Sequence, residues 1–270
     1  MLLEPFTQFL FMKKALFACI SISLTGGPVG LLLLLRKMSL MGEALSHGIF
    51  PGIVIAFLIF GFWLPGFVIG AIIIGLILSM LNRFIHERSI LHEDASFSAL
   101  YLLSLASGVL LLYSFNGNFN ILHLLFGNIL SIQNDTLAYI SILNAVILIL
   151  LFSFKKRILY DCFDPVFIFF TGGSRTLYHF IIWGSITTLL VSASIAVGTL
   201  MAMGLIMIPA ITSRLLFKNI WAMMLSSSII GIVCSYLGLL LSFYNNLPAG
   251  ASIITLLGIL FLITFINRSN

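Results

Sequence analysis

Charge is scarce in this chain. Only 8% of its 270 residues are Asp, Glu, Lys or Arg, against about 25% in soluble proteins. Too few charges remain to solvate a globular surface, which excludes a soluble enzyme or a soluble binding module. Cysteine is almost absent as well. Cys19, Cys162 and Cys234 are widely separated in apolar surroundings, so neither a disulfide framework nor a CxxC metal site is readable. There is no GxxxxGK[ST] loop for nucleotide phosphates and no GxSxG nucleophile elbow. His86-Glu-Arg-Ser-Ile90 resembles HExxH but has Ile90 at the second ligand position, in a charged stretch, which disfavours an intramembrane zinc protease. No repeat, low-complexity tract or soluble appendage appears. The net charge of +5 rests on thirteen thinly spread basic residues. They read as topological signals rather than as a nucleic-acid footprint.

What is present is hydrocarbon. The chain is 61% hydrophobic, with a mean hydropathy of +1.20. It reads as an all-α, polytopic transmembrane helix bundle forming one domain over residues 1–270. A span needs about 20 apolar residues, and such runs lie near 15–35, 43–61, 65–82, 96–115, 136–154, 177–197, 199–217, 220–243 and 250–267. That is eight or nine spans, because Gly26-Gly-Pro-Val-Gly30 interrupts the first and Pro209 the seventh; both are candidates for broken helices. The first run is too long for a cleavable signal peptide. Residues 121–133 are apolar but short, and parity makes them re-entrant or interfacial. The charged loops 83–95 and 155–176 then face the cytoplasm. Eleven of the thirteen Lys and Arg residues fall on that side, leaving only Lys13 and Lys14 outside. The expectation is a plasma (inner) membrane protein with its N-terminus outside and its C-terminus in the cytoplasm.

One polar constellation stands inside the apolar runs. Glu43 and His47 are four residues apart, about one helical turn, so both lie on one face and can share a ligand. Ionisable groups at membrane depth cost roughly 2.5–3.5 kcal/mol on insertion scales, and a bound cation is one reason to keep them. A buried ion pair or hydrogen bond locking the helix to a neighbour is the other. Pro51 has no N–H, so the carbonyl of His47 loses its i+4 donor and the helix is expected to kink there. Backbone oxygens freed in this way are tolerated where they line a cavity. Gly26/Gly30 and Gly66/Gly70 are small-xxx-small pairs that allow helices to approach closely. His123 and His179 sit singly near span ends, and His86 and His92 in a charged loop; none reads as a ligand.

Several blocks together resemble a family. Phe11-Met-Lys-Lys-Ala-Leu16, the run Leu35-Arg-Lys-Met-Ser-Leu-Met-Gly-Glu-Ala-Leu-Ser-His47 and Pro51-Gly52 are similar to the permease subunit of zinc/manganese ABC importers. Further blocks agree in order: Glu93-Asp-Ala-Ser96, Leu125-Phe-Gly-Asn-Ile129, Gly198 to Ala210 and Leu247-Pro-Ala-Gly250. The resemblance implies a larger (type II) importer fold and a permease that performs no bond chemistry. It implies a dimer of this chain, or a pair with a related permease, served by two cytoplasmic ATP-binding subunits and an extracytoplasmic metal-binding protein. No cofactor is held permanently; Zn(II) or Mn(II) is cargo. The family's acid–His pair maps onto Glu43 and His47, with Glu where Asp is usual. Histidine and carboxylate favour zinc, with manganese next. Ser46, Pro51, Gly204 and Pro209 fall in the matching blocks and are expected along the translocation path.

Coupling to the ATPase is expected in the loop 155–176. Asp164 and Pro165 form a helix start, an N-cap acid followed by proline. Gly172 and Gly173 provide the stop, with Phe167 on the short helix between them. The resemblance implies that this element lies in a groove of the ATPase; an interfacial helix on the inner leaflet is the alternative. Two rival functions are a siderophore or corrinoid permease, which would lack the acid–His pair, and a gradient-coupled secondary metal transporter. The latter usually carries several intramembrane acids, whereas apart from Glu43 every acid here falls in a loop or near a span end.

Overall fold

The computed structural model describes residues 4–61, 63–90, 93–115, 129–155, 158 and 175–269. Every regular element among them is helical, as a bilayer requires of a backbone that must satisfy its own polar groups. In chain order these are α1 (Glu4–Gln8), α2 (Leu10–Leu35), α3 (Ser39–Gly48), α4 (Phe50–Phe60), α5 (Leu64–Arg88), α6 (Glu93–Ser114), a 3-10 turn at Ile129–Ser131, α7 (Asn134–Ser153), α8 (Arg175–Val197), α9 (Thr199–Leu216), α10 (Ile220–Asn245) and α11 (Ala249–Ser269). Taking α3 and α4 as one span, eight segments among the described residues are long and apolar enough to cross a membrane; α9 is shorter. This agrees with the expected eight or nine spans. Residues 121–128 of the short apolar segment, and the loop 155–176 apart from Lys155, Ile158 and the start of α8 at Arg175, lie outside the described residues.

Three boundaries differ from the sequence reading. Helix α5 runs on through Arg88 instead of ending near residue 82. The charges there serve the helix: Arg83 Nε donates to Glu87 Oε1 at 2.8 Å one turn on, and the Arg88 guanidinium lies 4.4 Å from the Phe84 ring centre. Helix α2 is unbroken through Pro28, and α9 is unbroken through Pro209. At Pro28 the missing amide is replaced from outside the helix. The carbonyl of Leu24, which Pro28 deprives of its donor, accepts from Ser228 Oγ on α10 at 3.2 Å, a hydroxyl it shares with Met224 O at the same distance.

The chain divides into two compact units, each assembled from separated stretches: Met1–Lys37, Leu122–Val146 and Ser192–Asn270 in the first, Met38–Ile121 and Ile147–Val191 in the second. In the first unit α2 packs along α10 and α9. Small residues alternate across the α2–α10 seam. A Cβ on Gly231 would lie 2.9 Å from Ser23 Oγ, and one on Gly27 would enter Ser228. Gly30 is pressed against the carbonyl of Ile206 on α9, the close approach expected of the Gly26/Gly30 pair; Gly70 of the other pair makes a comparable approach to α4. Asn144 of α7, buried among apolar helices, donates through Nδ2 to Ser21 Oγ at 3.0 Å and accepts from Ser192 Oγ at 3.0 Å. One amide thereby ties α2, α7 and α8 together. Gly198 (φ 92°) alone separates α8 from α9, a conformation that residues with a side chain rarely adopt.

In the second unit α4 and α5 meet at Gly52 and Gly70, where a Cβ on either would run into the carbonyl of the other. Gly75 of α5 gives room to Thr187 of α8, at 2.5 Å from its methyl for an added Cβ. Phe97, buried at the start of α6, stacks on Trp183 with ring centres 5.8 Å apart. These contacts fix α5, α6 and α8 as the scaffold on which α3 and α4 are mounted.

Candidate metal centre

Helix α3 carries both residues of the acid–imidazole pair and ends at a designed break. Ile49 closes it, its N–H donating to Leu45 O at 3.1 Å. Helix α4 restarts at once with Pro51 in its first turn, where the absent N–H would have had no intrahelical partner. The Gly52 amide turns to Ile49 O at 3.1 Å instead of reaching back four residues to Gly48 O. The expected break is therefore present, centred on Ile49, two residues before Pro51.

Helix α6 is shaped to receive the break. Ser104 Oγ donates to the Gly48 carbonyl at 2.7 Å in a buried position. One turn further, a Cβ on Gly108 would stand 3.0 Å from Pro51 N and 2.7 Å from Phe50 Cδ1. Ser104-x-x-x-Gly108 thus supplies a donor and a gap at helical spacing. The sequence reading missed both residues. Their signal was a serine and a glycine one turn apart on an otherwise bulky apolar helix.

Along α3, Glu43 is exposed and His47 is half-buried. No hydrogen bond or ion pair engages either side chain among the described residues. Ser46, between them, is buried, and its hydroxyl donates back to the Glu43 carbonyl at 2.7 Å. It closes the turn that carries Glu43 rather than projecting into open space. No group of three or more His, Cys, Asp or Glu residues able to hold a metal occurs among the described residues. One chain offers two ligand side chains here.

The remaining expected site residues are distributed as follows. Pro51 shares the break with Ser46 and His47. Gly204 and Pro209 lie on α9 in the other unit; a Cβ on Gly204 would touch Ile254 of α11 at 3.0 Å, and one on Gly231 of α10 would stand 3.7 Å from the Pro209 ring. Asp164, Pro165, Phe167 and Gly172 fall outside the described residues.

Comparison with known proteins agrees over the same elements. The chain is 33% identical over 263 residues to the manganese import system permease protein ScaB of Streptococcus parasanguinis, covering 97% of this chain and 92% of that protein. It is 35% identical over 267 residues to ScaB of Streptococcus pneumoniae, with 97% and 92% covered. Among solved structures, PsaBC from Streptococcus pneumoniae in complex with Fab contains a chain that superposes with a TM-score of 0.85 at 32% identity, covering 98% of this chain and 94% of that one. The model of the ABC 3 transport family matches residues 8–268, from the first long helix to the end of the last, and this chain belongs to that family.

Proposed function

We propose that this chain is the membrane permease of an ATP-driven importer for a divalent transition metal, with manganese the first cargo to test. The observation that carries the reading is the Glu43–His47 pair, one turn apart on α3, with Glu43 exposed and neither side chain engaged. A structural lock needs a partner within reach; a transfer site needs unengaged ligands. Two copies brought together along α3 would offer two carboxylates and two imidazoles, a donor set that accommodates Mn(II) or Zn(II). The donor chemistry alone leans to zinc. The names of the relatives move manganese ahead of it, and zinc is the second reading.

The metal is cargo, and the protein's work is to strip, hold and release it. The carboxylate supplies charge at membrane depth, and the neutral imidazole supplies nitrogen. Glu43, one methylene longer than the usual Asp, sets its oxygens further from the helix axis. Ser46, Pro51, Gly204 and Pro209 are assigned to the walls of the path.

Energy comes from two cytoplasmic ATP-binding subunits acting on the loop 155–176, in which Asp164 and Pro165 start the coupling helix, Phe167 lies on it and Gly172 ends it. An extracytoplasmic protein delivers the metal. The test is uptake by the reconstituted permease with and without its ATPase, with Mn(II) and Zn(II) in parallel. ATP-dependent uptake of either metal is expected. Uptake that proceeds unaided would replace this reading with a gradient-coupled carrier. Gly172→Val should leave the bundle folded but abolish transport-linked hydrolysis, because the C-terminal stop of a helix commonly needs a positive φ that β-branched residues reject.

A further inference from the structure

Helix α10 presents one continuous exposed ridge, from Trp221 through Leu225, Ile229, Val233 and Leu237 to Tyr244. With exposed Leu241 between Leu237 and Tyr244, neighbouring positions lie three or four residues apart; each four-residue step turns about 40°, so the ridge is continuous but winds around the helix as it rises. Its two ends are the amphipathic aromatics Trp221 and Tyr244. The 23 residue steps from Trp221 to Tyr244 rise about 35 Å at 1.5 Å each, against a hydrocarbon core of about 30 Å. Trp and Tyr at that separation mark the two headgroup levels, which makes the ridge between them a surface for acyl chains.

The Trp221 end is also the end where cations gather. Arg214 in the last turn of α9 and Lys218 just beyond it are exposed. Arg268 reaches from α11 to the terminal carbonyls of α9, donating to Arg214 O at 3.4 Å and also to Leu215 O. The Asn219 side chain accepts from the Trp221 N–H at 3.0 Å and starts α10 at the same level. No carboxylate pairs with Arg214, Lys218 or Arg268 among the described residues. Three cations, an interfacial tryptophan and an apolar ridge running away from them have the polarity of an anionic phospholipid, with headgroup at one end and acyl chains along the other. We propose that the α9–α10 junction, with Arg268, binds the headgroup of an anionic phospholipid whose chains lie on the α10 ridge. An acidic protein surface would use the cations but leave the ridge without a function.

The test uses the full-length permease in phosphatidylcholine bilayers containing an equal fraction of dibrominated phosphatidylglycerol or dibrominated phosphatidylcholine. The Trp221 signal is taken as the difference from Trp221→Phe. One basic side chain near an anionic surface favours such lipid about fivefold. Trp221 quenching should therefore favour the brominated anionic lipid at least about fivefold, and Arg214→Gln with Lys218→Gln should bring the two lipids level. Charge-preserving Arg214→Lys with Lys218→Arg should retain the preference. High salt should erase it in the unaltered protein, a readout that needs no variant to fold. Equal quenching by both lipids would overturn the proposal, as would absence of quenching, which would place Trp221 under protein. A preference that persists in the double Gln variant would overturn it too.

Discussion

Ser104 stands directly beneath the break between α3 and α4, its hydroxyl 2.7 Å from the Gly48 carbonyl. The donor that the Gly52 amide withholds from that carbonyl comes from a neighbouring helix instead. Ser104→Ala should therefore lower stability by about 1–3 kcal/mol, the usual cost of stranding a buried acceptor. Ser107→Ala on the same helix should cost far less, since that hydroxyl only bonds back to Ser104 O three residues earlier. Thermal unfolding of the two purified variants in one detergent makes the comparison, and equal losses would show that the Gly48 bond is not what Ser104 contributes.

Backbone-to-backbone contact at Gly52 and Gly70 leaves no side chain able to yield. Gly52→Ala and Gly70→Ala should each cost about 1–3 kcal/mol or more, the range for overpacking a tight interface. Gly258→Ala is the control. It lies inside α11 with nothing within 4 Å of an added Cβ, and should be neutral or stabilise by up to about 1 kcal/mol through helix propensity. Unfolding midpoints measured side by side decide it.

For the acid–imidazole pair, Glu43→Gln and His47→Ala should each reduce metal uptake by more than about tenfold, as much as disturbing groups behind a metal ligand does. Assembly with the ATPase and basal ATP hydrolysis should persist. A structural ion pair would behave differently: losing one partner would cost roughly 3–5 kcal/mol, and removing both would restore stability. Metal sites do not recover in the double variant. Wild-type uptake by one of the single variants would end the metal reading.

Gly198→Val should destabilise by about 1–3 kcal/mol, because its backbone (φ 92°, ψ 156°) lies in a region open essentially to glycine alone. Gly184→Val, within α8 and with open space around an added Cβ, should be close to neutral, since valine is no worse a helix former than glycine. Both variants are read by the same unfolding assay.

The contrast among the prolines explains what was legible in the sequence. Pro51 announced a break, and a break is there, because Gly48 and Pro51 meet a serine and a glycine on α6 that accommodate it. Pro28 raised the same expectation, yet α2 continues, because its freed carbonyl is taken by Ser228 from another helix. Proline states that a donor is missing; only tertiary structure states who replaces it. The end of α5 was misread for a related reason. Arg83, Glu87 and Arg88 look like loop residues by charge, but their i,i+4 spacing is also that of a solvated helix end. Glu43 and His47 were visible as an acid and an imidazole one turn apart within an apolar run. Asn144 was not visible, since a lone amide in an apolar helix does not name Ser21 and Ser192 as its partners. The family blocks at Gly198 and at Leu247-Pro-Ala-Gly250 carried fold as much as function: one holds a positive φ, and the other lets Met201 approach Gly250 where a Cβ would block it.

The bond from Ser228 to Leu24 joins residues 204 positions apart, and that distance has a meaning in time. Helix α2 is synthesised and inserted long before α10 exists. Until then its Leu24 carbonyl has no donor, in a medium where an unsatisfied backbone group costs several kcal/mol. The first long helix of this protein is completed by the last but one, so a nascent chain cannot mature span by span. Every chain interrupted before residue 228 leaves that carbonyl without its Ser228 donor.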